Sequence, residues 1–165
     1  MNIRPERPED APVIRRLTDA AFKDMPFSHQ TEARIVDALR AAGALTLSLV
    51  AVREGEIVGH VAFSPVTING AEGDWYGLGP VSVRPDRQRG GIGQALICDG
   101  LERLRSLRAA GCVVLGAPAY YGRFGFQNDP DLTYRDVPPG YFQRLTLAGA
   151  PPKGEVSFHP GFDSP

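Results

Sequence analysis

The sequence has few features of a membrane protein, a secreted protein or a nucleic-acid-binding protein. Its only cysteines, Cys98 and Cys112, do not form a spaced disulfide or metal pattern, so we expect both to be reduced core residues. No apolar run approaches the roughly 18 residues of a membrane span, and no N-terminal signal peptide is visible. The net charge is −1 with both signs interspersed. These absences predict a soluble, cytoplasmic protein that binds neither nucleic acid nor a membrane.

The length of 165 residues predicts a single domain, residues 1–165, with a partly irregular tail from about residue 151. The 19 glycines and 15 prolines separate periodic segments and form no low-complexity tract. Antiparallel hairpins followed by a strand–loop–helix–strand crossover predict a mixed α/β sheet flanked by helices. The predicted helices are 8–22, one ending at Gly43, 92–110 and 118–124; the predicted strands are 2–4, 45–53, 57–68, 75–83, 112–115, one from 126, 141–147 and 155–158.

The most informative segment is Gln88-Arg89-Gly90-Gly91-Ile92-Gly93, between a β-like run and a helix-like run. A strand, a glycine loop and a helix start together present unpaired backbone N–H groups at the positive end of a helix. Such a site suits the pyrophosphate of a nucleotide-like cofactor. Glycines at 90, 91 and 93 allow the backbone to approach the phosphates closely.

Spacing separates three interpretations of this loop. A Walker-type loop requires Lys-Ser or Lys-Thr after a glycine, and the sequence has neither. A dinucleotide fingerprint starting at Gly91 meets Leu96 at its last glycine position and lacks the acidic residue expected about 20 positions later. The pattern Gln/Arg-x-x-Gly-x-Gly/Ala is satisfied by Gln88, Gly91 and Gly93.

On this third pattern the sequence resembles the GNAT acetyltransferases, whose cofactor is acetyl-CoA. Two further segments are similar to the family: 78–85, the strand before the loop, and 121–126, a Tyr-x-x-x-Gly-Phe signature. Details such as Gly59-His60 and the segments 63–66 and 119–121 resemble the subgroup of YhbS-like predicted acetyltransferases. The match covers residues 2–162. It implies the GNAT fold, in which a mixed, mostly antiparallel sheet has a splayed β4/β5 pair.

The resemblance also implies the cofactor contacts, with acetyl-CoA as co-substrate and no metal. Backbone groups of Val81 and Val83 would bind the pantetheine amides, and a backbone N–H near Val81 or Ser82 would face the acetyl oxygen. Pro80, which cannot donate to a sheet, fits a strand that bulges there, although it could simply blunt an edge. The implied phosphate loop consists of Gln88, Arg89, Gly90, Gly91, Ile92, Gly93 and Gln94.

Two positions depart from the family pattern: Arg89 stands where the family has glycine, and Ala117 stands where an acidic residue or histidine is common. Arginines 84, 87 and 89 cluster around the loop, and one or two of them would neutralise phosphate. An alternative is that they are ordinary surface arginines.

Tyr121 is the candidate general acid, since its place in the Tyr-x-x-x-Gly-Phe signature matches the tyrosine that protonates the coenzyme A sulfur in many GNAT enzymes. An ordinary tyrosine pKa of about 10 keeps the phenol protonated at pH 7. The alternative is that Tyr121 only packs beside Tyr120.

His60 and Glu32 are the two candidates for the general base, because no glutamate lies between Asp74 and Arg84 on the fourth strand. His60 on the third strand titrates in a suitable range, but strand histidines are often structural. Glu32 could line the substrate cleft or simply complement a helix dipole. The reaction could also proceed without a base, if the amine has a low pKa or loses its proton to water.

The sequence therefore predicts an acyl-CoA-dependent N-acetyltransferase that acts on a primary amine of a small molecule or on another exposed amine, as a monomer or homodimer. Direct transfer is expected, because neither cysteine lies at a splayed strand end with a base beside it. Two alternatives remain open: a non-catalytic acyl-CoA-binding or sensing domain, and a protein or peptide N-acetyltransferase.

Overall fold

A computed structural model describes residues 1–138 and 140–163. Pro139, part of a predicted bend, and the last two residues of the predicted domain lie outside the described residues. The strands are β1 (Asn2–Pro5), β2 (Leu47–Arg53), β3 (Glu56–Ile68), β4 (Ala71–Val83), β5 (Gly111–Leu115), β6 (Leu132–Thr133), β7 (Phe142–Thr146) and β8 (Gly154–Ser157). The α-helices are α1 (Ala11–Phe22), α2 (Glu32–Ala41), α3 (Ile92–Ser106) and α4 (Pro118–Tyr121). Short 3-10 turns span Pro8–Asp10, Pro85–Arg87, Gly122–Phe124 and Pro160–Asp163.

The main sheet has the strand order β1-β2-β3-β4-β5-β7, with β8 pairing to β3 and to β6. The pairs β1–β2, β2–β3, β3–β8 and β5–β7 are antiparallel, whereas β4 and β5 are parallel. The β4–β5 pairing joins Trp75–Gly77 to Gly111–Val113, on the N-terminal side of Pro80. The predicted α/β fold class, a mixed and mostly antiparallel sheet flanked by helices, is confirmed.

Two hairpin turns fix the register of β2, β3 and β4. Glu54 and Gly55 have φ of 54° and 78°, and Asn69 and Gly70 have φ of 51° and 78°. Two consecutive residues with positive φ are the requirement of a type I′ turn, whose twist matches that of the flanking strands. The sequence predicted turns at both places.

The chain divides into two compact units, of which the first comprises Met1–Phe63, Gly79–Leu101 and the C-terminal residues from Pro160. Its core includes a cluster of Ile14 from α1, Val36 from α2 and Val50 from β2. The buried residues of α1 recur at Ile14, Leu17, Thr18 and Ala21, which leaves its charged residues exposed. One face of the β1–β2–β3 sheet is therefore covered by these two helices.

The second unit comprises Ser64–Leu78 and Glu102–His159. Its core brings together one buried residue from each of six strands: Val66, Trp75, Val113, Leu132, Phe142 and Val156. The rings of Tyr134, Phe142 and Phe158 meet at centroid distances of 4.9–6.5 Å. This aromatic cluster explains why the tail after residue 151 still forms β8 instead of only coil.

Two predictions about elements and one about burial were wrong. The strand expected from Phe126 is only a bridge from Gln127 to Arg144 followed by β6, because the Asp129 carboxylate accepts from the backbone N–H of Asp131 at 2.9 Å and bends the chain. The third helix ends at Ser106, and the chain turns at Arg108, whose φ is 62°. Cys112 is buried as expected, but Cys98 is exposed on α3.

Among the described residues, no helix is both long and apolar enough to cross a membrane.

Candidate active site

The predicted phosphate loop lies in the first unit and links β4 to α3. Gln88, Arg89, Gly90 and Gly91 are exposed, whereas Ile92, the first residue of α3, is buried. The Gln88 side chain donates to the Val83 carbonyl at 3.1 Å, which holds the loop against the end of β4. The first N–H groups of the 15-residue helix therefore lie next to an exposed glycine loop, as an anion site requires.

The backbone at Arg89, which departs from the family pattern, has the conformation of a glycine. Arg89 has φ of 66° and Gly91 has φ of 85°, both in the left-handed region that glycine adopts most easily. Arg89, where the resemblance expects glycine, thus keeps the backbone conformation that a glycine would provide. The departure changes the side chain at this position and leaves the path of the loop intact.

Arg84 differs from the other two arginines near the loop. Its Nε and Nη2 donate to the two carboxylate oxygens of Asp86 at 2.7 and 3.1 Å, and its Nη1 donates to Glu56 at 3.0 Å. The hydrogen bond from Arg84 holds the pKa of the Asp86 carboxyl below its ordinary value. Because its guanidinium is already bound by two carboxylates, Arg84 ties the loop to the start of β3. Arg87 and Arg89 remain the predicted phosphate partners.

Two glycines that the sequence analysis did not assign to the site set the position of α3. A Cβ at Gly59 would lie 2.7 Å from Ile92 Cγ2, and a Cβ at Gly100 would lie 2.5 Å from Phe63 Cζ. Both distances are shorter than non-bonded carbon atoms allow, so α3 approaches β3 this closely only because both positions lack a side chain. A glycine inside a predicted strand is a signal of such a close approach, and the sequence carries this signal at Gly59.

The implied pantetheine-binding residues lie at the end of β4. Val81 and Val83 are half-buried, while Ser82 is buried and its Oγ lies 3.3 Å from Thr18 Oγ1 of α1. Because side chains alternate along a strand, the Ser82 side chain and those of the two valines point to opposite faces. The role expected for all three residues uses their backbone groups.

Tyr121 lies in the second unit, at the last position of α4. Its ring packs directly on Gly116, the residue after β5, and leaves no room for a Cβ at that position. The ring also meets that of Phe126 edge-on, at a centroid distance of 6.0 Å. The Tyr120 ring packs edge-on against Tyr121 at 5.0 Å. Burial, together with Tyr120 and Cys112, raises the pKa of Tyr121 to about 12. The phenol is therefore protonated throughout the physiological pH range.

The two candidate bases occupy different surroundings. His60 has 0 % of its surface exposed, and burial lowers its pKa to about 4, an effect that Glu6 partly offsets. Glu32 is the first residue of α2, and both of its carboxylate oxygens accept from Ser28 Oγ, at 2.7 and 2.8 Å. His60 is thus a neutral residue inside the first unit. The Glu32 carboxylate is held by hydrogen bonds from Ser28 at the start of α2.

No cluster of three or more potential metal ligands (His, Cys, Asp or Glu) is found in residues 1–138 and 140–163.

Comparisons with known proteins show the family of the chain. A family model described as the acetyltransferase (GNAT) family matches residues 14–126. The chain is 41% identical over 128 residues to the uncharacterized N-acetyltransferase YhbS of Escherichia coli (strain K12), covering 77% of this chain and 74% of that protein.

Two solved structures are similar over almost the whole chain. A GNAT family acetyltransferase from Brucella melitensis in complex with acetyl-CoA is 54% identical with a TM-score of 0.88, covering 98% of this chain and 97% of that one. YhbS from Escherichia coli in complex with CoA is 37% identical with a TM-score of 0.86, covering 99% and 92%. The chain therefore belongs to the GNAT family and is an acyl-CoA-dependent N-acetyltransferase.

Proposed function

We propose that the protein transfers the acetyl group of acetyl-CoA directly to the primary amine of a small molecule or to another exposed amine. The observation that carries the proposal is the exposed loop from Gln88 to Gly91 at the start of α3. Its backbone N–H groups and the positive end of the helix suit a pyrophosphate. The acetyl-CoA and CoA held by the two solved relatives support the same co-substrate here.

The proposed binding roles follow the implied motif. The loop residues Gln88 to Gln94 would bind the pyrophosphate, and Arg87 and Arg89 would add charge. Backbone groups of Val81 and Val83 would hold the pantetheine arm. A backbone N–H near Ser82 would stabilise the oxyanion that forms when the amine attacks the thioester, an interaction of about 2.7–4 kcal/mol in comparable sites.

Tyr121 is proposed to act on the leaving thiolate. The amine nitrogen forms a bond to the acetyl carbon, the C–S bond breaks, and the sulfur takes up a proton while the nitrogen loses one. A phenol with a pKa of about 12 carries its proton at every pH at which the enzyme would work. The same pKa makes it a weak acid, so donation of a hydrogen bond to the developing thiolate contributes as well as proton transfer.

No base is assigned to the amine. The His60 imidazole has no exposed surface through which an amine could reach it directly. The Glu32 carboxylate accepts a hydrogen bond from Ser28. The earlier predictions for both residues stay predictions. Loss of the amine proton to water is compatible with the proposed reaction.

The test is the release of CoA from acetyl-CoA across amino acids, polyamines, aminoglycosides and short peptides, with the acetylated product identified by mass spectrometry. We expect release that depends on a small amine. Release with peptides alone would replace the proposal with a peptide N-acetyltransferase. Tight binding of acetyl-CoA without release for any amine would favour a sensing domain.

A further inference from the structure

A network of hydrogen bonds in the first unit links Arg40 of α2 to the imidazole of His60. The Glu6 carboxylate accepts from Arg40 Nε and Nη2, both at 2.9 Å, and from Ser48 Oγ. Ser48 Oγ lies 2.8 Å from His60 Nε2. Glu6, Arg40 and Ser48 also line an open surface depression, so the hydrogen-bond network extends from the surface to a fully buried ring.

The direction of each hydrogen bond can be derived from the charges. Burial raises the pKa of Glu6, but the hydrogen bonds from Arg40 and Ser48 outweigh it, so the pKa lies below its ordinary value. The Glu6 carboxylate is therefore ionised at neutral pH and can only accept. Ser48 has one hydroxyl proton and must donate it to Glu6. It follows that His60 Nε2 carries a proton and donates it to Ser48 Oγ.

This assignment leaves Nδ1 of the neutral His60 ring as a bare acceptor. Nδ1 is buried and has no hydrogen-bond partner among the residues that the structure describes. His60 pairs with Val50 across β2 and β3, so its ring lies on the sheet face that is covered by Ile14 of α1 and Val36 of α2. An unsatisfied acceptor in such an apolar layer destabilises the folded state, and buried polar groups in folded proteins nearly always have a partner.

We propose that His60 Nδ1 is the accepting end of a buried subsite for a hydrogen-bond donor that comes from outside the polypeptide. The donor is the O–H group of an internal water molecule, because the imidazole has no exposed surface through which a larger ligand could reach it. The Glu6–Ser48 pair acts at this subsite as a positioning device, since it fixes the tautomer in which Nδ1 can only accept. The subsite is independent of the proposed acetyl transfer, which assigns no role to His60.

The test is ¹⁵N NMR of the full chain labelled at its three histidines, with the His60 signals assigned by their loss in His60→Gln. We expect a neutral ring protonated at Nε2, with the Nδ1 shift moved in the direction of an accepted hydrogen bond. That shift in the free protein, with magnetisation exchange to solvent, identifies water as the donor. A shift that appears only after addition of glycine, spermidine or kanamycin would overturn the assignment of water as the donor. An Nδ1 shift typical of a free acceptor under all these conditions, or a proton on Nδ1, would overturn the proposal.

Two variants at Ser48 test the positioning step. Ser48→Ala removes the acceptor of the Nε2 proton, so a mixture of the two neutral tautomers is expected. Ser48→Thr keeps a hydroxyl and should retain the single Nε2–H form. The signals of His29 and His159 report in the same spectra whether each variant is folded. An unchanged tautomer in a folded Ser48→Ala would show that Ser48 does not fix the proton on Nε2.

Discussion

Gly59 of β3 faces the first turn of α3 so closely that a Cβ at this position would lie 2.7 Å from Cγ2 of Ile92. Leu96, one turn further along the helix, would lie 2.9 Å away. Ile92 directly follows the exposed glycine loop, so the missing side chain at Gly59 determines how near to the sheet the loop begins. A residue on a strand thereby sets the position of the proposed phosphate site.

Substitution of Gly59 by alanine should lower both stability and cofactor affinity. Ile92 and Leu96 are buried, so the added methyl group has to displace the start of α3; overpacking of this kind costs about 1–3 kcal/mol. Urea unfolding would measure the loss, and kinetics would show a raised KM for acetyl-CoA. The control is Gly73→Ala, where a Cβ would have no neighbour within 4 Å. Equal behaviour of the two variants would contradict the close approach.

Gly91→Ala tests whether the loop holds phosphate. The φ of 85° disfavours alanine by about 1–2 kcal/mol, and the new methyl group would occupy open space beside the loop. Gly43→Ala is a matched control, since Gly43 is also exposed, has φ of 66° and has free space around it. Both variants should lose similar stability. Only Gly91→Ala should weaken acetyl-CoA binding, by about tenfold or more in calorimetry; intact binding in this variant would exclude the loop from the phosphate site.

Tyr121→Phe should separate catalysis from binding. The phenylalanine ring keeps the packing on Gly116 and Phe126 but removes the hydroxyl, so kcat should fall by about 100-fold or more while the affinity for acetyl-CoA stays the same. Tyr120→Phe, one residue earlier, is the control and should keep kcat near wild type. A similar loss in both turnover and affinity, or in neither, would remove Tyr121 from the role of acid.

His60 makes stability depend on pH. Its folded pKa of about 4 lies below the ordinary value of 6.5, so the unfolded chain binds a proton between these values and the folded chain does not. This contribution is fully present above pH 6.5 and is lost as the pH falls toward 4; it amounts to about 2 kcal/mol between pH 6.5 and pH 5. Urea unfolding at several pH values should show this slope in the wild type and in His29→Gln, where the histidine is exposed, but not in His60→Gln. An equal slope in His60→Gln would place the pH dependence elsewhere.

The local patterns predicted most of the secondary structure because each element carries its own signal. The two turns with glycine at their second central position, the strands β2 and β3, and the glycine loop before α3 all lie where the residues indicated. The prediction of a strand from Phe126 was wrong, because the chain there forms a turn with a hydrogen bond at Asp129 and a salt bridge from Arg144 to Asp129 at 2.6 Å. A partner 15 residues away is not visible in a local pattern.

The sequence by itself determined the family, the fold class and the loop that is proposed to bind the co-substrate, because spacing and glycine content act over a few neighbouring residues. The tertiary structure decided the state of the polar side chains. His60 could be a titrating base in the sequence, but the layer formed by Ile14, Val36 and Val50 on its side of the sheet removes it from bulk solvent, and its pKa falls to about 4. Desolvation and hydrogen-bond partners come from residues that are distant in the chain, so only the packed structure could assign them.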